Sequence, residues 1–212
     1  MRTLKALLAA ASLIFASLAA AQDLKEGRDY TVIATPQATE APGKIEVVEL
    51  FWYGCSHCFD FDPLLNKWLK NLPKDVVFRR IPAIFPNGSW APGARIYYAL
   101  EATGQLDKLH GEVFDAMHVD RYNLNDPKVL TAWLTKKGID AQKFMDAYNS
   151  FAVQGKVQRS LQLTKGYGIN GVPALIVQGK YMPATGAAGS YEDVLVVVDK
   201  LIAKVRAEQG KK

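Results

Sequence analysis

Cysteine is almost missing from this chain: two residues, Cys55 and Cys58, among 212. That excludes a disulfide framework, which needs several bridges, and a four-cysteine zinc site. Histidine is nearly as scarce, with three residues, and neither His110 nor His118 has metal-site spacing to other ligands. No metal and no cofactor are expected. Charge of one sign is not concentrated either. The 26 basic and 21 acidic residues are scattered, apart from a short Gly210-Lys211-Lys212 tail, so nucleic-acid binding has no support. Beyond the N-terminus no run approaches the roughly 20 apolar residues of a membrane span. What remains, 49% hydrophobic and 22% charged, is an ordinary globular composition.

The N-terminus differs from the rest. Arg2 and Lys5 precede an apolar run from Ala6 to Leu18, and Ala19-Ala20-Ala21 fits the small-residue cleavage rule. Residues 1–21 therefore read as a signal peptide, with cleavage after Ala21, Ala20 being the other position that fits. An uncleaved anchor is the alternative, against which the run is short. An exported chain of this kind is in an oxidising compartment, where its only two cysteines acquire meaning. A bridge between them closes a loop worth roughly 2 kcal/mol of chain entropy, against about 3 for a 15-residue loop. As a staple it is weak. As a reversible redox pair it makes sense.

Ile45 to Tyr53 is rich in β-branched and aromatic residues and reads as a buried strand, broken by Gly54. Phe61, Leu64, Leu65, Trp68, Leu69 and Leu72 then fall at helical spacing, with Pro63 expected to kink the helix. Val76 to Ile81 is a second strand, so the three form a βαβ unit with parallel strands. From about Pro92 to Lys165 only helices are signalled. Asp126-Pro127 and Asp140 are helix starts, and Gly138 follows a helix end. A strand resumes at Ala174 to Gln178, and Gly179-Lys180 is expected to turn it into Tyr181-Met182. Ser190 with Asp193 caps a last helix reaching about Ala207. The expected class is α/β, with a first part at 22–87, a helical insertion at 88–160 and a second part at 161–212.

Cys55-Ser56-His57-Cys58 stands where the first strand ends and the first helix begins. Unpaired N–H groups at a helix start favour an anion, and the thiolate is the nucleophile of disulfide exchange. Cys55, at the tip, is read as the attacking thiol. Cys58, one turn in, is read as the resolving thiol, and His57 adds positive charge. Haem attachment would need histidine directly after Cys58, where Phe59 stands. A soft metal held by Cys55, His57 and Cys58, or an inert buried pair, are the other readings. Gly171-Val172-Pro173-Ala174 precedes a strand; Pro173 is either a plain strand-start residue or part of the site. His110 and His118 read as surface or boundary histidines. Phe51, Trp52 and Tyr53 should alternate between core and the rim around Cys55.

Taken together, the leader, F-x-x-x-C-x-H-C at a strand–helix junction, the helical block and G-V-P-A-x-x-V-x-G-K-Y resemble the DsbA family of periplasmic dithiol oxidases. The likeness runs from Gly27-Arg28-Asp29-Tyr30 to the last helix. It implies a thioredoxin fold with an inserted helical domain, and a cis Val172-Pro173 peptide facing the sulfurs. By family position Cys55 is the nucleophile, Cys58 resolves, His57 stabilises the thiolate and Val172 offers backbone hydrogen bonds to substrate. The implied partners are reduced, unfolded exported polypeptides and a membrane quinone-linked reoxidase of the DsbB type, with the protein itself a periplasmic monomer. Two departures stand out. Ser56 occupies the place of a proline in the best-known members, and the basic residue under the site falls on Arg80. Glu49 matches the family's buried acid, as a proton relay for Cys58 or else as a solvated strand-edge residue. A disulfide isomerase or reductant is the rival enzyme, and a holdase-like peptide binder the rival of another class. The mature residues before Ile45 are too few for an isomerase's dimerisation domain.

Overall fold

The computed structural model describes residues 24–86, 89–184 and 189–210. The expected signal peptide and the terminal Lys211-Lys212 lie outside them. Five strands, β1 (Tyr30–Val32), β2 (Ile45–Phe51), β3 (Val76–Pro82), β4 (Ala174–Val177) and β5 (Tyr181–Pro183), form one sheet in the order β1-β5-β4-β2-β3. β2 and β3 pair in parallel, and α1 (Ser56–Leu69) connects them, as the βαβ reading requires. β4 pairs antiparallel with β2 and β5, and β1 closes the far edge against β5. Between β3 and β4 the chain forms α2 (Ala91–Ala102), α3 (Leu106–His118), α4 (Pro127–Lys136), α5 (Ala141–Tyr148) and α6 (Phe151–Gly166). α7 (Tyr191–Gln209) ends the fold, and no described helix is long and apolar enough to cross a membrane.

All seven residues of β2 are buried, so both faces of the central sheet are covered. Strand alternation divides them. Ile45 and Val47 pack with Phe61 and Leu65 of α1 and with Val198 and Leu201 of α7. Val48 and Leu50 pack on the opposite face with Leu163 of α6, Tyr167 and Ile176. A third cluster joins Phe51, Tyr53 and Cys58 to Ile96, Leu100, Val113 and Phe114. The end of β2 that carries the cysteines is therefore packed against the helices between β3 and β4, which holds the motif in place from a second direction.

The local signals worked where a side chain performs the capping. Asp126, Asp140 and Ser190 each accept a backbone N–H in the first turn of α4, α5 and α7, and Ser150, which the sequence reading did not name, does the same for α6. Two details differ. β2 ends at Phe51, because Trp52 and Tyr53 turn the chain so that the Trp52 carbonyl accepts from the Cys55 N–H at 3.0 Å. The β4–β5 turn is centred one residue earlier than expected, on Gln178 and Gly179, with φ of 53° and 63°. Lys180 N–H donates to the Val177 carbonyl and closes it. Positive φ at both central residues matches the twist of a hairpin, and only glycine fits the second position, where a Cβ would meet the Gln37 carbonyl.

Candidate active site

Cys55 is the N-cap of α1, in extended conformation (φ −92°, ψ 116°), and its Sγ accepts the Cys58 N–H at 3.3 Å. The helix thus begins on a sulfur. Cys55 is partly exposed, whereas Cys58 is wholly buried, and the two are thiols here. The hydrogen bond from the Cys58 thiol is the main force lowering the Cys55 pKa. Burial opposes it, and the backbone N–H groups of Cys58 and His57 and the His57 charge add to it, so the thiol settles at about 6. Burial, with the neighbouring Cys55 sulfur, pushes Cys58 far the other way. One turn of helix therefore separates an ionised, reachable sulfur from a protonated, enclosed one. Ser56 and His57 are exposed.

Residues over a hundred positions later complete this surface. The Cys55 thiol lies 3.5 Å from the Val172 carbonyl oxygen. The Val172-Pro173 peptide is cis, as the resemblance implied. Pro173 directly precedes β4, so the sheet positions it. Beside it runs a groove of about 640 Å³ lined by Thr31, His57, Ile169, Pro173, Met182 and Tyr191, among others. The groove is largely apolar, and Gly171 and Val172 are part of its lining. A second cleft, of about 400 Å³, lies away from the cysteines along β3 and is lined by Arg79, Tyr97, Tyr98 and Lys156. Its cations are already engaged, Arg79 with Glu40 and Glu46 and Lys156 with Glu101.

Beneath the cysteines sits a buried charge cluster. Glu49 is 2% exposed, so the strand-edge, solvated reading fails. Arg80 donates through Nε to Glu49 Oε2 at 3.1 Å, and through Nη2 to Asp62 Oδ1 at 3.0 Å and Asn66 Oδ1 at 2.7 Å. Burial outweighs Arg80 at Glu49 and pushes its carboxyl up to about 7. At Asp62 burial is overcome by His110, Arg80 and Asn66, which hold that carboxyl below its usual range. Two carboxylates that share the Arg80 guanidinium thus differ in charge below about pH 7, Glu49 kept neutral by its burial and Asp62 ionised by its several donors.

The histidines of α3 correct the sequence reading. His110 is not at the surface but 7% exposed, and Nδ1 lies 2.8 Å from the Tyr53 hydroxyl. His118 is a boundary residue, yet a connected one. Its Nε2–H donates to the Tyr53 carbonyl at 2.7 Å, and its ring stacks on Phe59. Tyr53 itself is core, T-shaped against Phe51. No group of described residues is arranged to hold a metal ion. Sequence reasoning passed over Asp62 and His110; an acid between Phe61 and Leu65 on the apolar face of α1 was the available signal for the first. For His110, the isolated position within a helical apolar pattern carried none.

The DSBA-like thioredoxin domain family model matches residues 46–192. The chain belongs to that family. It is 42% identical over 208 residues to the thiol:disulfide interchange protein DsbA of Pseudomonas aeruginosa, covering 98% of each chain. With the protein of the same name from Azotobacter vinelandii it shares 44% identity over 187 residues, 88% of this chain and 87% of that one. The crystal structure of Pseudomonas aeruginosa DsbA superposes with a TM-score of 0.83 at 41% identity, covering 90% of this chain and 98% of that chain. A thioredoxin fold of the DSBA-like type and a thiol–disulfide oxidoreductase activity follow for this chain.

Proposed function

We propose that the protein works in the oxidising direction, passing a Cys55–Cys58 disulfide to reduced, newly exported polypeptides in the periplasm. The observation that carries this reading is the asymmetry of the two sulfurs. A site that stabilises the Cys55 thiolate stabilises the reduced state, and so makes the disulfide a stronger oxidant. In the forward step a substrate thiolate attacks Cys55 Sγ, the only sulfur of the pair open to solvent. The Cys55–Cys58 bond breaks, and Cys58 leaves and takes up a proton, with the neutral Glu49 carboxyl beneath it as the donor. A second substrate thiolate then attacks the substrate sulfur of the mixed disulfide and releases Cys55 as a stabilised thiolate. The substrate has lost two electrons and the cysteine pair has gained them. During the mixed disulfide, an extended substrate segment lies in the groove beside Val172 and Pro173, pairing with the Val172 backbone.

The charge on His57 and the backbone N–H groups at the start of α1 hold the released thiolate, and Ser56 between the cysteines tunes its poise. Residues 1–21 act as the export signal, and the helices of residues 88–160 form an insertion between the two parts of the thioredoxin-like domain. A membrane quinone-linked oxidase of the DsbB type restores the disulfide, and the protein acts as a monomer. The deciding experiment is the redox equilibrium of Cys55–Cys58 against glutathione. A markedly oxidising pair is expected. A pair as reducing as thioredoxin would make the protein a reductant instead. Replacing both cysteines by serine should end thiol oxidation. A variant that still protects unfolded chains as well as the parent would return the holdase reading.

A further inference from the structure

His110 belongs to α3, outside the βαβ unit that carries the cysteines, and the chemistry proposed above makes no use of it. Its ring is almost fully enclosed, among Phe51, Tyr53, Tyr97 and Phe114. Burial also holds it below its ordinary pKa, so the imidazole is neutral and carries one proton. The surroundings decide which nitrogen holds that proton. Nε2 lies 3.4 Å from Asp62 Oδ1, a close contact without good hydrogen-bond geometry, and has no other partner among the described residues. A bare nitrogen lone pair facing an ionised carboxylate would be repelled, and a carboxylate only accepts. The proton therefore sits on Nε2, and the Tyr53 hydroxyl donates to Nδ1 at 2.8 Å.

Asp62 Oδ1 is the same oxygen that Arg80 Nη2 reaches at 3.0 Å, while Arg80 Nε holds Glu49 at 3.1 Å. Asp62 and Glu49 compete for one guanidinium. We propose that His110 is a positioning residue of the redox site: locked by Tyr53, it turns its Nε2–H on Asp62, relieves that carboxylate's demand on Arg80, and so leaves Arg80 free to hold the charge of Glu49. A helix of the inserted segment thereby takes part in the thiol chemistry without touching a sulfur. The groups facing Glu49 are Arg80 from β3, Asp62, Cys55 and Cys58 from α1 and its cap, Tyr53 from the segment after β2, and Tyr97 from α2; across the β2–β4 pair its register partner is Leu175. His110 faces Tyr53, Asp62, Arg80 and Tyr97. A cleft of about 260 Å³, lined by Asn66, Arg80, Tyr97, Asp107, His110 and Gly111 among others, flanks this chain of groups and shares no lining residue with the substrate groove.

The proposal rests on the reading of Glu49 as the proton donor for Cys58, so its test follows the Glu49 carboxyl itself. In the full-length mature protein, the carboxyl of Glu49 is titrated by isotope-edited infrared spectroscopy, with Glu49→Gln assigning the band. In His110→Phe, Asp62 draws Arg80 away, and the Glu49 midpoint should rise by about 0.5 pH or more. His110→Gln, whose amide N–H reaches the place of Nε2–H, should restore it. Tyr53→Phe, which frees the tautomer, should give a smaller rise, and adding Asp62→Asn to His110→Phe should cancel the rise. If His110→Phe does not fold, the Tyr53→Phe and Asp62→Asn midpoints carry the test. Folded variants with an unmoved Glu49 midpoint overturn the role of His110. A moved midpoint with an unchanged pH profile of mixed-disulfide formation would overturn the Glu49 reading and leave the coupling standing.

Discussion

Cys55 Sγ and the carbonyl oxygen of Val172 lie 3.5 Å apart although 117 residues separate them in the chain. β2 delivers the first and β4 the second, and because these strands are neighbours in the sheet the two loops meet at one end of it. On the proposed reading, an extended segment bonded through Cys55 would have the Val172 backbone beside it at the moment of exchange, while Cys58 stays buried behind.

Distinct roles for the two sulfurs follow from that arrangement. At pH 7 an alkylating reagent should modify Cys55 faster than Cys58 by on the order of a hundredfold or more, since one is an exposed thiolate and the other a buried thiol. Cys55→Ser should abolish thiol oxidation. Cys58→Ser should leave an attackable Cys55 that accumulates mixed disulfides with substrate, visible on non-reducing gels. Equal alkylation rates in the folded dithiol protein would contradict the assignment.

The source of the low Cys55 pKa gives a second expectation. The Cys58 thiol contributes most and the charge of His57 least among the favourable influences. Thiolate absorbance of the reduced protein should titrate near pH 6. Cys58→Ala, which removes the donor, should raise that midpoint more than His57→Ala does, and Cys58→Ser, which keeps an O–H, should change it little. The folded pKa lies below the unfolded one, near 9. The resulting stability of the reduced form is therefore fully present above the unfolded value and is lost as pH falls through about 6. The oxidised form has no thiolate. Calorimetry should show the reduced protein melting higher at pH 7 and the gap closing by about pH 4.

Much of this was legible from the residue order. The β2–α1–β3 unit announced itself because a continuous apolar strand, a 3.6-residue periodicity and a second strand follow one another, each with its own breaker. The helix starts at Asp126, Asp140 and Ser190 were readable because capping is a contact between near neighbours. β1 was not legible: three residues, two of them exposed, earn their place only by pairing with β5. The same holds for the cluster under the cysteines. Nothing local in Asp62 or His110 records that they face Arg80 from two different helices, and nothing in Glu49 tells a buried carboxyl from an edge one. Such relations exist only once α1 and α3 are packed on β2 and β3.

Gly179 separates fold from chemistry. Its φ is 63°, and a Cβ there would run into the Gln37 carbonyl. Gly179→Ala should cost about 1–3 kcal/mol, from the left-handed backbone and the displaced residue 37 segment. The turn lies at the opposite end of β4 from Pro173. Urea unfolding should therefore show the loss while the Cys55 titration near pH 6 stays in place. A shifted titration would mean that the β4–β5 turn reaches the site.

Glu49 allows the sharpest test of the buried cluster. Its folded pKa, about 7, is above the ordinary 4.5 because burial penalises the charge more than Arg80 rewards it. A raised carboxylate pKa costs nothing below the unfolded value, costs progressively more as pH climbs to 7, and is a constant penalty beyond. Glu49→Gln keeps an oxygen for Arg80 Nε and removes the charge. It should thus melt higher than the parent at pH 8, by an amount on the order of a few kcal/mol at most, and lose that advantage by pH 4.5. Function should move the other way. With no proton to give, the variant should form the mixed disulfide more slowly, by roughly tenfold or more, and the inflection near pH 7 in the parent's rate should vanish. A Glu49→Gln protein that is less stable than the parent at pH 8 would show that the ion pair with Arg80 outweighs burial. The carboxyl would then be ionised throughout the working range, and the proton for Cys58 would have to come from solvent.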